Sequence, residues 1–224
     1  MEIISLMQML KLNCLLCLVF LCLSCTSTTV DEFRQGETGI ESGESVVILG
    51  RRQASDFETR SEFVECLGER MRRGENAISV VPEREFIDAM FPWFEPRTAP
   101  LRAGDLEQLM AEDVVALKMN DFGIRYMVWV EGFTETKGRT GSISCTVGPG
   151  GGGCFGFGTW EDDASFNARV WDVTSLKNVG TINTDGTGQS YLPALVVPIP
   201  LIARVEANVC NRLAAQLKDF VNGT

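Results

Sequence analysis

The amino-terminal segment limits how many residues are available to form a folded domain. An almost uncharged, leucine-rich run over residues 12–24 stops at Cys25 and gives way to polar residues 26–29. A run of about 13 residues is too short to cross a bilayer, which takes roughly 20, but it suits the central part of a signal peptide. Ser24 supplies the small residue that lipoprotein signals place before the lipidated cysteine. We predict a signal peptide over residues 1–24 and a lipid on Cys25. A signal cleaved without lipidation and an uncleaved apolar anchor are the alternatives.

Removal of the signal leaves about 200 residues, enough for one compact domain. Residues 26–44 are rich in Thr, Ser, Gly and Glu and poor in apolar side chains. That composition is typical of a flexible segment. We therefore predict a lipidated tether over residues 25–44 that connects the membrane to a single α/β domain over residues 45–224.

Charge and composition limit the function. The net charge of −10 is unfavourable for binding a phosphate backbone, so nucleic acid is not an expected partner. The chain contains no histidine, which excludes Ser-His-Asp and Cys-His nucleophiles and every metal site that uses histidine. We expect no catalytic residue, no metal and no cofactor. Residues 161–163, an acidic run, offer carboxylates for an enzyme, but a charged hairpin turn is the simpler interpretation.

Eight cysteines predict a disulfide framework. Three leave with the signal and Cys25 would carry the lipid. Four remain, an even number that suggests disulfides in an exported protein. Three pairings are formally open, and reduced buried cysteines are an alternative. Spacing favours Cys145 with Cys154 across a short loop, which leaves Cys66 with Cys210.

Hydrophobic periodicity predicts the order of elements in the domain. Residues 46–49 form a first strand, and a helix with a capping box at Ser55 and Glu58 runs to Gly74. A second short strand at 78–81 completes a β-α-β unit, which normally places its strands parallel. Two more helices follow, the second of them carrying an apolar stripe from Leu106 to Leu117. The continuous apolar run 124–130 predicts a central strand.

The carboxyl-terminal half predicts further strands and a closing helix. Residues 164–173 alternate between apolar and polar, as expected of a half-solvated strand. Residues 172–178 predict a turn into another strand at 179–184, and residues 183–188 a second turn. An apolar stripe from Ile202 to Phe220 predicts the last helix. The fold class is α/β (α+β): a two-layer or three-layer sandwich with a mixed sheet, in the order β-α-β-α-α, then a β-meander and a C-terminal helix.

Two segments do not follow this scheme. The glycine-rich run 148–158 contains a formal G-x-G-x-x-G, but no helix follows it, so it predicts a flexible hairpin tip rather than a dinucleotide loop. The apolar segment 191–202 contains prolines that forbid an ordinary helix and disfavour a central strand. It is either an extended crossover packed in the core or a surface that contacts a membrane or a partner. The residues of that candidate surface are Leu192, Leu195, Val196, Val197, Ile199 and Leu201.

Residues 168–180 carry a resemblance to a known family. In this segment Asp172 ends one strand, and a small residue, Gly180, lies near the start of the next. It resembles the strand-turn-strand of CsgG-like and TolB-amino-terminal-like envelope lipoproteins. The order of elements over residues 46–221 is similar as well. The resemblance implies an α/β sandwich that serves envelope assembly, secretion or activation of another protein without chemistry of its own.

The functional expectation follows from the anchor and this resemblance. We predict a bacterial lipoprotein on the periplasmic face of the outer membrane, with a non-catalytic binding, assembly or activator role. Its expected partners are the membrane, through the lipid, and an envelope protein. A homo-oligomer is open. The alternatives are a subunit of an oligomeric outer-membrane secretion pore and, less favoured, a carboxylate-based enzyme. Residues 138–163 and 191–202 are the candidate pore insertions, but they are rich in glycine and proline respectively.

Overall fold

The computed structural model describes residues 26–51, 58–95, 97–100, 103–149 and 151–224. The predicted signal peptide, the lipid site Cys25 and the capping residue Ser55 lie outside the described residues. Internal contacts divide the chain into two compact units. The described part of unit 1 comprises residues 26–27, 136–162 and 187–204. Unit 2 comprises the described residues of 28–135, 163–186 and 205–224.

Six strands form one mixed sheet, which confirms the predicted α/β class. Their order across the sheet is β1-β6-β5-β4-β2-β3. β2 pairs parallel with β3 and with β4, while β4, β5 and β6 are neighbours in the order in which the chain makes them. The strands are β1 (Thr26–Arg34), β2 (Ser45–Gly50), β3 (Val80–Val81), β4 (Ile124–Gly148), β5 (Gly151–Asp172) and β6 (Lys177–Pro198).

The central strands of unit 2 are the most apolar segments of the chain. All six residues of β2 are buried, and the first seven residues of β4 are buried or nearly so. β2 pairs with β4 from Ser45 opposite Ile124 to Gly50 opposite Val130. Strands covered on both faces need apolar side chains at every position, which explains the continuous hydrophobic runs.

Within the described residues, five helices accompany the sheet; all belong to unit 2, and they cover both of its faces. Val47 and Leu49 face one cluster with Phe86, Met119 and their neighbours from the middle of the chain. On the opposite face the ring of Phe63 stacks on that of Phe166, with centroids 3.6 Å apart. The helices are α1 (Ser61–Met71), α2 (Glu83–Ala89), α3 (Ala103–Met110), α4 (Asp113–Asp121) and α5 (Val205–Asn222).

A disulfide connects the first helix of unit 2 to the last. Cys66 on α1 is bonded to Cys210 on α5, with the Cα atoms 6.4 Å apart. α5 also packs closely on the sheet. A Cβ added to Gly180 on β6 would lie 2.5 Å from the Phe220 ring, so glycine is required for this approach. The guanidinium of Arg34 on β1 also lies over that ring, 4.7 Å from its centroid.

The helix predicted from Leu106 to Leu117 is two helices. The helical conformation is interrupted between α3 and α4, where Glu112 adopts an extended conformation before the first turn of α4. The break rotates the second half of the expected apolar stripe. Val114 is therefore 56% exposed and Leu117 is 64% exposed, whereas Val115 and Met119 are buried. Periodicity assumes one continuous helix, so it assigned the wrong face after the break.

Three polar segments predicted as irregular are strand. Residues 26–34 of the predicted flexible tether form β1 at the edge of the sheet. The predicted turn at 183–188 lies inside β6, and the acidic run 161–163 lies inside β5. Neighbouring strands supply the backbone hydrogen bonds in each case, so tertiary pairing overrides the weak local preference of these residues for strand.

Candidate functional site

Unit 1 contains the hairpin formed by the end of β4 and the start of β5. Cys145 and Cys154 face each other across it with Cα atoms 4.0 Å apart and are bonded, the pairing that spacing favoured. Several glycines of the hairpin have positive φ, among them Gly141 at 97° and Gly156 at 146°. A Cβ at either position would overlap a carbonyl oxygen of the opposite strand. Here glycine permits close pairing of the two strands, and this role explains part of the glycine-rich composition.

The end of β6 in unit 1 turns back on itself. The backbone N–H of Tyr191 donates to the carbonyl of Leu201 at 2.9 Å, and Leu201 N–H donates in return at 2.8 Å. Ile199 N–H donates to the carbonyl of Pro193 at 2.9 Å. The residues between them form a tight tip, where Val196 has a φ of 81°. A β-branched residue rarely adopts that conformation, so the tip is held by the pairing on either side of it.

These strand ends expose apolar side chains. Among the described residues, thirteen large hydrophobic residues are exposed, and eight of them belong to unit 1. Val147 at the hairpin turn is 91% exposed and Leu195 at the β6 tip is 81% exposed. We name the set the strand-end surface. It consists of Val147, Phe155, Phe157, Leu195, Val196, Val197, Ile199 and Ile202.

The six predicted contact residues differ in their exposure to solvent. Four of the six are on the strand-end surface. The other two, Leu192 and Leu201, are half-buried, and their neighbour Ala194 is fully buried. The alternative of a crossover packed in the core does not describe residues 195–197, which are all exposed.

Sequence reasoning missed half of the strand-end surface. Val147, Phe155, Phe157 and Ile202 were not among the predicted contact residues. A composition signal was present: residues 140–160 contain no Asp, Glu, Lys or Arg, although 22% of the chain is charged. Residues 187–203 are uncharged too.

A polar cluster lies at the base of the uncharged segments, within unit 1. Its centre is Asp162 on β5. Thr136 Oγ1 donates to one carboxylate oxygen at 2.6 Å, and Trp160 Nε1 donates to the other at 3.2 Å. Ser190 Oγ donates to that second oxygen at 3.3 Å and accepts the backbone N–H of Ala203 at 3.0 Å. This cluster connects β4, β5 and β6 at the boundary between the charged and the uncharged parts of these strands.

In unit 2, Asp172 organises the turn after β5. Its Oδ1 accepts the backbone N–H and the hydroxyl of Thr174 at 2.8 and 2.7 Å and the N–H of Ser175 at 3.1 Å. Its Oδ2 lies 3.1 Å from a guanidinium nitrogen of Arg125. Burial alone would raise the pKa of Asp172. The hydrogen bonds from Thr174 and Ser175 and the charge of Arg125 outweigh it, so the pKa is lowered. The aspartate of the resemblance segment is thus a structural residue.

Unit 2 also contains an open cavity of about 700 Å³ between α1 and α2. Its walls are apolar around Val64 and Ile87, and its rim carries charged residues of both signs, including Arg72 and Glu83. Two of these groups have partners within the fold. Glu83 accepts the backbone N–H of Gly50 at 2.9 Å, and Arg72 donates to the carbonyl of Val80 at 3.3 Å. In the described ranges, no three Cys, Asp or Glu side chains are grouped so that they could hold a metal ion.

Comparisons with known proteins do not assign this chain to a family. No protein-family model and no curated protein sequence matches this chain. Among solved structures, two PelC dodecamers from Paraburkholderia phytofirmans are similar at 13% identity and cover 88% of this chain. The match takes in 100% of one PelC chain, a point variant, with a TM-score of 0.39, and 99% of the other with a TM-score of 0.40. Similarity of this degree does not define a shared function.

No helix within the described residues has both the length and the apolar content to cross a membrane.

Proposed function

We propose that this chain is a bacterial lipoprotein of the cell envelope, anchored through a lipid on Cys25 at the periplasmic face of the outer membrane. In this proposal it binds or assembles other envelope components and does no chemistry. The strand-end surface is the observation that carries the proposal. Soluble monomers rarely expose contiguous large apolar side chains, and such a concentration usually marks an interaction site.

The resemblance of residues 168–180 to CsgG-like and TolB-amino-terminal-like lipoproteins supports the same function. The aspartate that ends the first strand of that segment is buried and accepts three hydrogen bonds. A residue held in this way favours a shared turn over a chance match of a short motif. The kinship remains part of the proposal.

A second candidate function is a subunit of an oligomeric outer-membrane secretion pore. The length of the strands favours it, since β4 has 25 residues and β5 and β6 have 22 each. Strands in globular proteins usually have about 3–10 residues. Among the described strands, β2 accompanies β4 only as far as Val130. The uncharged part of β4 beyond Arg139 could therefore pair with a second copy, as an oligomer requires.

The test of the anchor is a Cys25→Ala variant in the native host. Wild type is expected in the outer-membrane fraction with a mass that includes the lipid. The variant is expected to accumulate unprocessed or to leave that fraction. Cys22→Ala is the matched control, because Cys22 lies in the same signal but three residues before the lipid site. Equal mass and equal fractionation of wild type and Cys25→Ala would contradict the lipoprotein proposal.

The oligomer is tested separately. Wild-type protein extracted in mild detergent is expected to give a single multiple of the protomer mass by native mass spectrometry. A monomer at every protein concentration would rule out the pore candidate and would leave the binding role in place.

A further inference from the structure

The ends of the three long strands are free of charge over the whole strand-end surface. Residues 140–160 and 187–203 lack any Asp, Glu, Lys or Arg. Charged residues reappear directly at their boundaries. Lys137 and Arg139 precede the first segment and Glu161 follows it, while Arg204 follows the second. A surface that met only water or a typical protein partner would have no reason to exclude every charge, whereas the hydrocarbon of a bilayer does.

Aromatic residues with a polar end mark the same boundary. Trp160 is the last residue of the first uncharged segment and Tyr191 lies four residues into the second. Both are half-buried, and Trp160 donates from its indole nitrogen to Asp162 at 3.2 Å. Trp and Tyr are enriched where hydrocarbon meets the polar headgroups, because one end of each ring is apolar and the other forms hydrogen bonds.

The first described residues of β1 lie at this level. β1 runs antiparallel to β6, since Gln35 N–H donates to the Val179 carbonyl at 2.8 Å while the earlier residue Phe33 lies against the later residue Gly180. The first residues of β1, 26–27, accordingly group with residues 187–204 in unit 1. Thr26, the residue that follows the predicted lipid site, therefore lies near the start of the uncharged part of β6.

The reach of the strands agrees with this placement. Leu195 lies seven residues beyond Gly188 along β6. At about 3.3 Å per residue, the tip extends roughly 23 Å past the part of β6 that lies beside Thr26. The hydrocarbon core of a bilayer is about 30 Å thick. A lipid on Cys25, the residue before Thr26, would therefore bring the strand ends into the same membrane.

The backbone of the β6 tip is suited to an environment without water. Unpaired N–H groups are costly in hydrocarbon. The tip pairs Tyr191 with Leu201 in both directions and Ile199 with Pro193. Pro193, Pro198 and Pro200 have no N–H to leave unpaired. The prolines that disfavour an ordinary strand thus remove three donors from this tip.

We propose that the uncharged strand ends of unit 1 form a second membrane attachment, which inserts into the lipid hydrocarbon beside the acyl chains of Cys25. The occupant of the strand-end surface is lipid rather than protein. This inference rests on the proposed envelope function and specifies what the apolar surface of that function binds.

The test uses the mature chain without its lipid. The protein is produced with Cys25→Ser behind a signal that is cleaved without lipidation, and it is mixed with phosphatidylcholine vesicles in a flotation assay. It is expected to bind, and binding is expected to persist in 0.5 M salt, because the attachment is apolar and the Debye length of about 4 Å at that ionic strength screens interactions between exposed charges. The double variant Leu195→Asp/Val197→Asp is expected to lower the partition coefficient more than tenfold.

A matched control separates lipid insertion from general stickiness. Val114→Asp/Leu117→Asp places the same two charges at similarly exposed apolar positions on α4 of unit 2. This control is expected to bind vesicles as the parent does, and near-UV circular dichroism should show that both double variants are folded. Anionic phosphatidylglycerol vesicles are expected to bind less than phosphatidylcholine, because the chain carries a net charge of −10.

The outcomes distinguish this inference from the function on which it rests. If lipidated wild type is in the envelope but the Cys25→Ser chain does not bind vesicles, the strand ends do not insert and a protein partner covers them. Equal loss of binding in the two double variants would overturn the inference as well. If wild type itself is absent from the envelope, the proposed function fails whatever the vesicles show.

Discussion

Replacement of Asp172 tests whether the turn after β5 is held by one carboxylate. The residue is 6% exposed, and its two oxygens satisfy three hydrogen bonds and an ion pair. Asp172→Ala removes all of these and should cost about 3–5 kcal/mol of unfolding free energy, the range for breaking a buried charged pair. Asp172→Asn retains an acceptor oxygen but loses the charge, and should cost about 1–2 kcal/mol. The Arg125 side chain is 23% exposed, so water can solvate its guanidinium in part once the ion pair with Asp172 is lost.

The same carboxylate gives the stability a pH dependence with a defined sign. The pKa of Asp172 is lowered in the folded protein. A lowered pKa means that the folded state favours the ionised form more than the unfolded chain does. The contribution is therefore complete above the ordinary aspartate pKa of about 3.9. It is lost as the pH falls through the lowered value of the folded state.

Urea unfolding followed by tryptophan fluorescence measures both effects, since Trp171 is adjacent to the substituted residue. The stability gap between wild type and Asp172→Asn should be full at pH 7 and should narrow as the pH falls below about 4. Asp185→Asn, at an exposed position of β6, is the control and should change little at either pH. A gap below about 0.5 kcal/mol at pH 7, or one that stays constant into acid, would refute this account of the turn.

Three further results are expected. Paired replacement of Cys66 and Cys210 by serine should cost up to about 5 kcal/mol of unfolding free energy in the chain-entropy treatment, because that disulfide closes a long loop; an unchanged urea midpoint would contradict it. Paired replacement of Cys145 and Cys154 should cost at most about 3 kcal/mol and should raise amide hydrogen exchange only in the β4–β5 hairpin, whereas protection lost throughout unit 2 would argue against a local clamp. Gly180→Ala should lower thermal stability by about 1–3 kcal/mol through overlap with the Phe220 ring, and a crystal structure with that ring unmoved would be inconsistent with the packing.

Sequence patterns were sufficient where burial on both faces left a continuous apolar run. Residues 46–49 and 124–130 were predicted as strands for that reason, and they are central in the sheet. The apolar stripe of α5 was predicted from its helical period, because one face of that helix is buried. Asp172 was placed correctly at a strand end because the residues after it favour a turn.

The patterns failed where pairing with distant strands decides the conformation. β1 is built from Thr, Ser and acidic residues that resemble a tether, and only its position beside β6 makes it a strand. The glycines of the β4–β5 hairpin predicted a flexible loop, although several of them lie in paired strands and permit the close approach of the two backbones. Phe155 and Phe157 were not recognised as exposed, since periodicity cannot show that no helix covers a strand end.

The disulfide between Cys66 and Cys210 has a consequence for the order of events during biogenesis. Its two sulfurs are 144 residues apart in the chain, and Cys210 belongs to the last helix. A thiol–disulfide exchange enzyme cannot complete this bond until that helix has been synthesised and delivered to it. The Cys145–Cys154 bond spans only nine residues and can close much earlier. If the chain is exported from its amino terminus, as the proposed function requires, the hairpin is oxidised first, while Cys66 waits as a free thiol that must be protected from pairing with Cys145 or Cys154.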